Sequence, residues 1–278
     1  MFFFITILVI GGIVIAVKSN SNKSDNTSKT DSSSGLNYTV IDDSPYQPKQ
    51  RPEVAYDKTV LKCEPGKGLI GYFHLEDWFN ETFSDEEILY IKEKLAKTMM
   101  SPDQLNKIVL SSTTQTVQEF LGSMAYNFNT KKDIKIAIKF MDKAAEFTDL
   151  SGMSAMDLHY YYMNPIEIYY KDRENPESLE KAIMYCKKMI EIAPEAFKEI
   201  KEYNANLYSE EDKKTLPKEL IKSALANPPH KGFDQLATIE YKRGNYEEVI
   251  KLCKQAKKLK FSGGWDYMIE KAQKKMEK

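Results

Sequence analysis

The chain has 278 residues, 42% apolar and 29% charged, which is enough for one or two domains with their own core. Its 40 Lys and Arg nearly balance 41 Asp and Glu, which argues against attraction of the whole protein to nucleic acid. Three widely spaced cysteines, Cys63, Cys186 and Cys253, form neither a disulfide framework nor a Cys-x-x-Cys pair, and they fit a reducing compartment.

Phe2 to Val17 reads FFFITILVIGGIVIAV, without a charge. Counted from Met1, about 17 residues at ~1.5 Å each reach roughly 25 Å, slightly less than the ~30 Å hydrocarbon core. Bilayer thinning and a snorkelling Lys18 absorb that mismatch, so residues 1–18 are expected to be a transmembrane anchor. A cleaved signal peptide is the competing reading. It lacks a basic start, although Val14-Ile15-Ala16 offers a poor cleavage site. Lys18, Lys23 and Lys29 follow the apolar run and no lysine precedes it. The positive-inside rule then predicts a single-pass protein of the cell membrane with its carboxy-terminal body in the cytoplasm. The alternative topology gives an extracytoplasmic, lipid- or wall-associated protein.

Ser19 to Gly35 (SNSNKSDNTSKTDSSSG) has nothing to bury and is expected to be disordered. The linker runs to residue 55, stiffened by Pro45, Pro48 and Pro52. A small segment, 56–112, comes next. Thr59-Val60-Leu61 and Leu69-Ile70-Gly71-Tyr72-Phe73 flank Glu64-Pro65-Gly66-Lys67-Gly68, the pattern of a short β-hairpin with a Pro-Gly turn. The Gly-Lys-Gly string lacks the rest of a phosphate loop.

In His74-Leu75-Glu76-Asp77-Trp78-Phe79 a histidine stands beside two acids, but adjacent residues rarely converge on one ion and no second histidine follows four residues on. The pattern therefore predicts no metal. It predicts a Trp/Phe knot packed on the first helix, with its acids solvated. Trp78 is retained as a partner-contact candidate, and an enzyme or enzyme subunit using Cys63–Phe83 is the alternative function. Ser84-Asp85-Glu86-Glu87 is a capping box that opens a helix with Ile88, Ile91 and Leu95 on its inner face. Ser101-Pro102-Asp103-Gln104 opens another, with proline at the first helical position.

From residue 113 to 278 a pattern of paired helices recurs. Phe120, Leu121, Met124, Ala125 and Phe128 mark one helix; Ile134, Ala137, Ile138, Met141 and Ala144 mark its partner. Leu179, Ala182, Ile183, Cys186, Met189 and Pro194 form a second copy. Leu236, Ala237 and Tyr241, a turn at Arg243-Gly244-Asn245-Tyr246, then Val249, Cys253 and Ala256 form the last. In this last copy the turn glycine, the tyrosine two residues later and the small packing residues resemble a tetratricopeptide repeat. Val249 replaces the family's alanine and Phe261 its terminal proline.

Ala137, Ala182 and Val249 are separated by 45 and 67 residues, against about 34 in the family, so the array is irregular. Extra helices around Glu195–Tyr208 and Pro217–Leu225 are expected to fill the longer gap. The expected fold is thus mostly α: an irregular tetratricopeptide-like array of helical hairpins, preceded by the anchor, the tether and the small hairpin segment.

The resemblance implies a groove lined by first helices. It points to Glu119, Tyr126, Asn129, Asp234, Thr238, Tyr241 and Lys242 as partner contacts. The tyrosine-rich stretch from Ala155 to Tyr170 fits either a groove wall or a buried interface. Cys186 and Cys253 occupy equivalent inward positions and are read as packing residues, not catalysts. His159 and His230 have no metal or triad partner at a recognisable spacing, and no catalytic residue or cofactor is predicted. The lysines from Lys251 to Lys260 read as a solvated helix face. Together these features predict a membrane-anchored scaffold or adaptor that binds a protein or peptide.

Overall fold

The computed structural model describes residues 54–98, 101–113, 115–150 and 152–277. The expected anchor at 1–18 and all but the last two residues of the linker lie outside them. Among the described residues no helix is long and apolar enough to cross a membrane.

The first helices are α1 (Gly68–Tyr72), α2 (Glu76–Thr82), α3 (Asp85–Leu95) and α4 (Asp103–Asn106). The expected β-hairpin is not found: its second arm is α1, and among the described residues only isolated bridges, Lys67–Val109 and Pro229–Ser262, have β character. Two left-handed glycines explain the difference. Gly66 and Gly68 adopt φ of +70° and +62° and wind the chain into a helix instead of returning it as a strand. Gly68 also lies so close to α4 that a Cβ there would sit 2.2 Å from the Leu105 carbonyl oxygen.

The Ser84 capping box opens α3 as expected, with its hydroxyl accepting from the Glu87 amide. On the far side of α3, Lys92 is fully buried and donates to the Asp57 and Val60 carbonyls at 2.7 and 2.8 Å, with the Asp103 carboxylate 3.5 Å away. Burial holds this ammonium below the usual lysine range, against the pull of Asp103. The lysine thereby fastens the entering chain to α3 and α4.

Helix pairs follow: α5 (Val117–Asn127) with α6 (Ile134–Glu146), α7 (Ala155–Lys171) with α8 (Pro176–Glu191), and α12 (Lys231–Arg243) with α13 (Tyr246–Lys258). Ala125, Ala137, Ala182, Ala237 and Ala256, all buried, let the paired backbones approach closely. α12 packs on α8 and α7, and α14 (Trp265–Met276) packs on α13. The long gap between the second and third pairs holds α9 (Ala193–Asn206), α10 (Glu210–Thr215) and α11 (Lys218–Leu225), where extra helices were expected. α9 lies against α7 and carries α11. One cluster of buried apolar side chains runs from Cys63 to Ala272. The architecture is mostly helical with packed helix pairs, compatible with a helical-repeat fold.

Candidate functional site

Along α12 the apolar residues Phe233, Leu236, Ala237 and Ile239 are buried. Asp234, Thr238, Tyr241 and Lys242 recur at helical spacing and line a groove. Its other wall comes from Gly264, Trp265, Tyr267, Met268 and Lys271 at the start of α14, and its volume is about 450 Å³. Local chemistry sets both walls. At the end of α12, Gly244 takes a left-handed φ of +81°, and the Gly244 and Asn245 amides bond back to the Tyr241 and Glu240 carbonyls. This Schellman closure stops the helix immediately after the groove residues. On the other wall, Trp265 is buried and its indole N–H donates to the Phe261 carbonyl at 2.8 Å. Gly263 must stay bare, because a Cβ would fall 2.5 Å from the Trp265 ring.

The floor is apolar, through Ala237, Trp265 and Met268, and the rim is aromatic and charged, with Lys242 and Lys271 at the Tyr241 end and Asp234 eight residues before Lys242 on α12. The Lys271 ammonium sits 4.6 Å from the centre of the Tyr241 ring and 5.9 Å from that of Tyr267. Lys242 donates to the Tyr170 hydroxyl at 2.8 Å and lies over the same ring. Neither lysine is paired with a carboxylate among the described residues. Tyr267 is 69% exposed, so most of its ring is open to solvent.

The remaining sequence-derived candidates are elsewhere. The Glu119 carboxylate closes the cap of its own helix, accepting from the Thr116 amide at 2.8 Å. Asn129 accepts from Lys171 through both its side chain and its carbonyl. Tyr126 is 53% exposed but lines no part of the groove. Trp78 packs edge-on against Phe83 and Phe140 under the Lys143 ammonium, so the aromatic knot rests on α6 as well as on its own segment. His74 beside it is exposed, with a left-handed φ of 56°.

The tyrosine-rich α7 serves mainly as core. Tyr162 and Tyr169 are buried against Tyr185, and the Tyr169 hydroxyl donates to Asp142 at 2.6 Å. Burial first, and then the Asp142 carboxylate, push this phenol far above the ordinary tyrosine range. The three cysteines are buried and free, and burial raises Cys63 to about 11 and Cys186 to about 12, so they remain neutral thiols near pH 7. Among the described residues, no three His, Cys, Asp or Glu side chains come together as a metal ion would require.

Sequence reasoning missed the α14 wall. Trp265, Met268 and Ala272 do recur at helical spacing after Gly263-Gly264, but the pattern is short. It also missed that His159 and His230, far apart in the chain, meet in the core with their rings 5.2 Å apart. Nothing local signals that contact. Compared with known protein families, curated proteins and solved structures, the chain matches none.

Proposed function

We propose that this chain is a protein-interaction scaffold whose α12–α14 groove holds a short acidic segment of a partner. The carrying observation is the convergence of Asp234, Thr238, Tyr241 and Lys242 with Tyr267, Met268 and Lys271 on one open groove. Asp234 and Lys242 stand eight residues apart on one helix, about 12 Å along its axis, the length of three or four extended residues. Lys242 and Lys271, neither held by a carboxylate among the described residues, favour carboxylates near the Tyr241 end, while the floor and the Tyr267 ring favour an apolar or aromatic side chain. The turn at Gly244, the following Tyr246 and the buried alanines of the last pair support reading the body as an irregular tetratricopeptide-like array. The charge-free run from Phe2 to Val17 supports membrane anchoring, and Lys18, Lys23 and Lys29 after it support a body facing the cytoplasm.

A panel of acidic, basic and neutral peptides with and without an aromatic residue, titrated onto the full-length chain in detergent, tests the reading. Acidic aromatic peptides are expected to bind best. Lys271→Glu is expected to weaken them at least tenfold and Tyr241→Ala severalfold. Equal binding by the variants, or preference for basic peptides, would overturn it. Recovery of the intact chain in the soluble cell fraction would remove the anchor from the proposal.

A further inference from the structure

His230 stands at the amino-terminal end of α12 and does the work usually left to Ser, Thr, Asp or Asn. Its Nδ1 accepts from the Phe233 amide at 3.1 Å. An imidazole can accept there only while Nδ1 is bare, so its one proton must sit on Nε2. The ring is 1% exposed and packs among Phe233, Phe261 and His159, with centroids 4.7, 4.5 and 5.2 Å away. Among the described residues neither the His230 Nε2 nor the His159 Nδ1 makes a hydrogen bond of normal geometry. Around the pair meet α7 through His159, α8 through Met189 and Cys186, whose atoms hem in Gly232, and α9 through Phe197, edge-on to Phe261.

We propose that His230 is an acid-labile cap: a proton taken up at Nδ1 ends the bond to the Phe233 amide and loosens α12 and the helices it carries from α7 and α8. Three effects act together. The acceptor becomes a donor facing a donor. A cation is created at the positive end of the α12 dipole. That cation is also buried beside a second imidazole, with no carboxylate bonded to either ring among the described residues. The charged and titratable groups around it do not offset this. His159 of α7 opposes a second charge, and the adjacent Tyr160 phenol is pushed up by burial. Cys186 of α8 and Cys253 of α13 are thiols raised to about 12 and about 11. On α12, Lys231 adds positive charge and Asp234, the one nearby acid on that helix, is exposed to solvent. Phe197, Phe261 and Trp265 bring no charge. Burial, and for His230 also the neighbouring His159, hold the two imidazoles down to about 4 and about 3, outweighing a smaller favourable contribution to His230 from the Met189 and His230 backbone.

The inference does not depend on what the groove binds. It is tested by amide exchange of the full-length chain between pH 7 and pH 5, corrected for intrinsic rates. Protection of Phe233 to Tyr241 is expected to fall about 20-fold for each histidine exposed by the opening. His230→Asn keeps an accepting oxygen without a titrating nitrogen, so it is expected to remain protected at pH 7 and to lose much of that pH dependence. His230→Ala is expected to lower protection at both pH values. The ¹⁵N shifts of the wild-type ring give a check that needs no variant: they are expected to report the Nε2–H tautomer at pH 7. An Nδ1–H tautomer, flat protection from pH 7 to 5, or an unchanged pH response in His230→Asn would each overturn the proposal.

Discussion

The first and last helix pairs carry the same pattern of apolar and small residues, yet only one leaves a first-helix face open. On α5 and α6 the inner side chains are taken up by the amino-terminal helices. Phe73 stacks on Phe120, Trp78 and Phe83 pack on Phe140, and Lys139 pairs with Glu87 at 2.7 Å. Asp133, at the α5–α6 turn, is bonded by Tyr90, Lys94 and Thr130. On α12 the exposed edge faces α14 across an open groove. A repeat pattern therefore specifies a helix pair, while the neighbouring segments decide whether that pair becomes core or surface.

Acid should separate the two regions most strongly. The buried histidines where α7 meets the start of α12, His159 and His230, have folded-state values depressed to about 4 and about 3, so the unfolded chain binds more protons below its ordinary value of 6.5. Their contribution is complete above pH 6.5 and is lost as pH falls, on the order of 2–3 kcal/mol for each histidine by pH 4.5. Asp133 behaves differently. Burial raises its carboxyl, but hydrogen bonds from Lys94, Tyr90 and Thr130 leave it below its ordinary 3.8, so its contribution persists above that value and is lost only beneath it. Acid titration followed by region-resolved exchange should open α12 well before α5 and α6. Simultaneous opening would break the contrast.

Phe140→Ala empties the centre of the aromatic cluster at a fully buried position and is expected to cost about 3–5 kcal/mol in urea unfolding. Glu119→Ala removes one half of the Thr116 capping box and should cost about 1 kcal/mol, with no change in peptide binding. A binding loss in Glu119→Ala would extend the interaction surface to α5. Lys271→Ala removes an exposed ammonium over two tyrosine rings and should change stability by less than about 1 kcal/mol, so a binding defect there can be read as local.

Much of the helical body was legible in the sequence. The capping box at Ser84, the paired apolar stripes and the inserted helices all rest on local spacing, which a single chain displays directly. The hairpin misreading came from treating Pro65-Gly66 as a two-strand turn, when the decisive contact of Gly68 with Leu105 is long-range. The site was half legible for the same reason. Asp234, Thr238, Tyr241 and Lys242 share one helix and one period, whereas their opposite wall and the His159–His230 contact depend on how separate helices dock.

The most direct test of the scaffold reading is hydrogen exchange of the detergent-solubilised full-length chain with and without the best-binding acidic aromatic peptide. New protection is expected to be confined to α12 from Asp234 to Lys242 and to α14 from Trp265 to Lys271. Protection centred instead on Tyr126 or the Trp78 segment, with those two stretches unchanged, would contradict it.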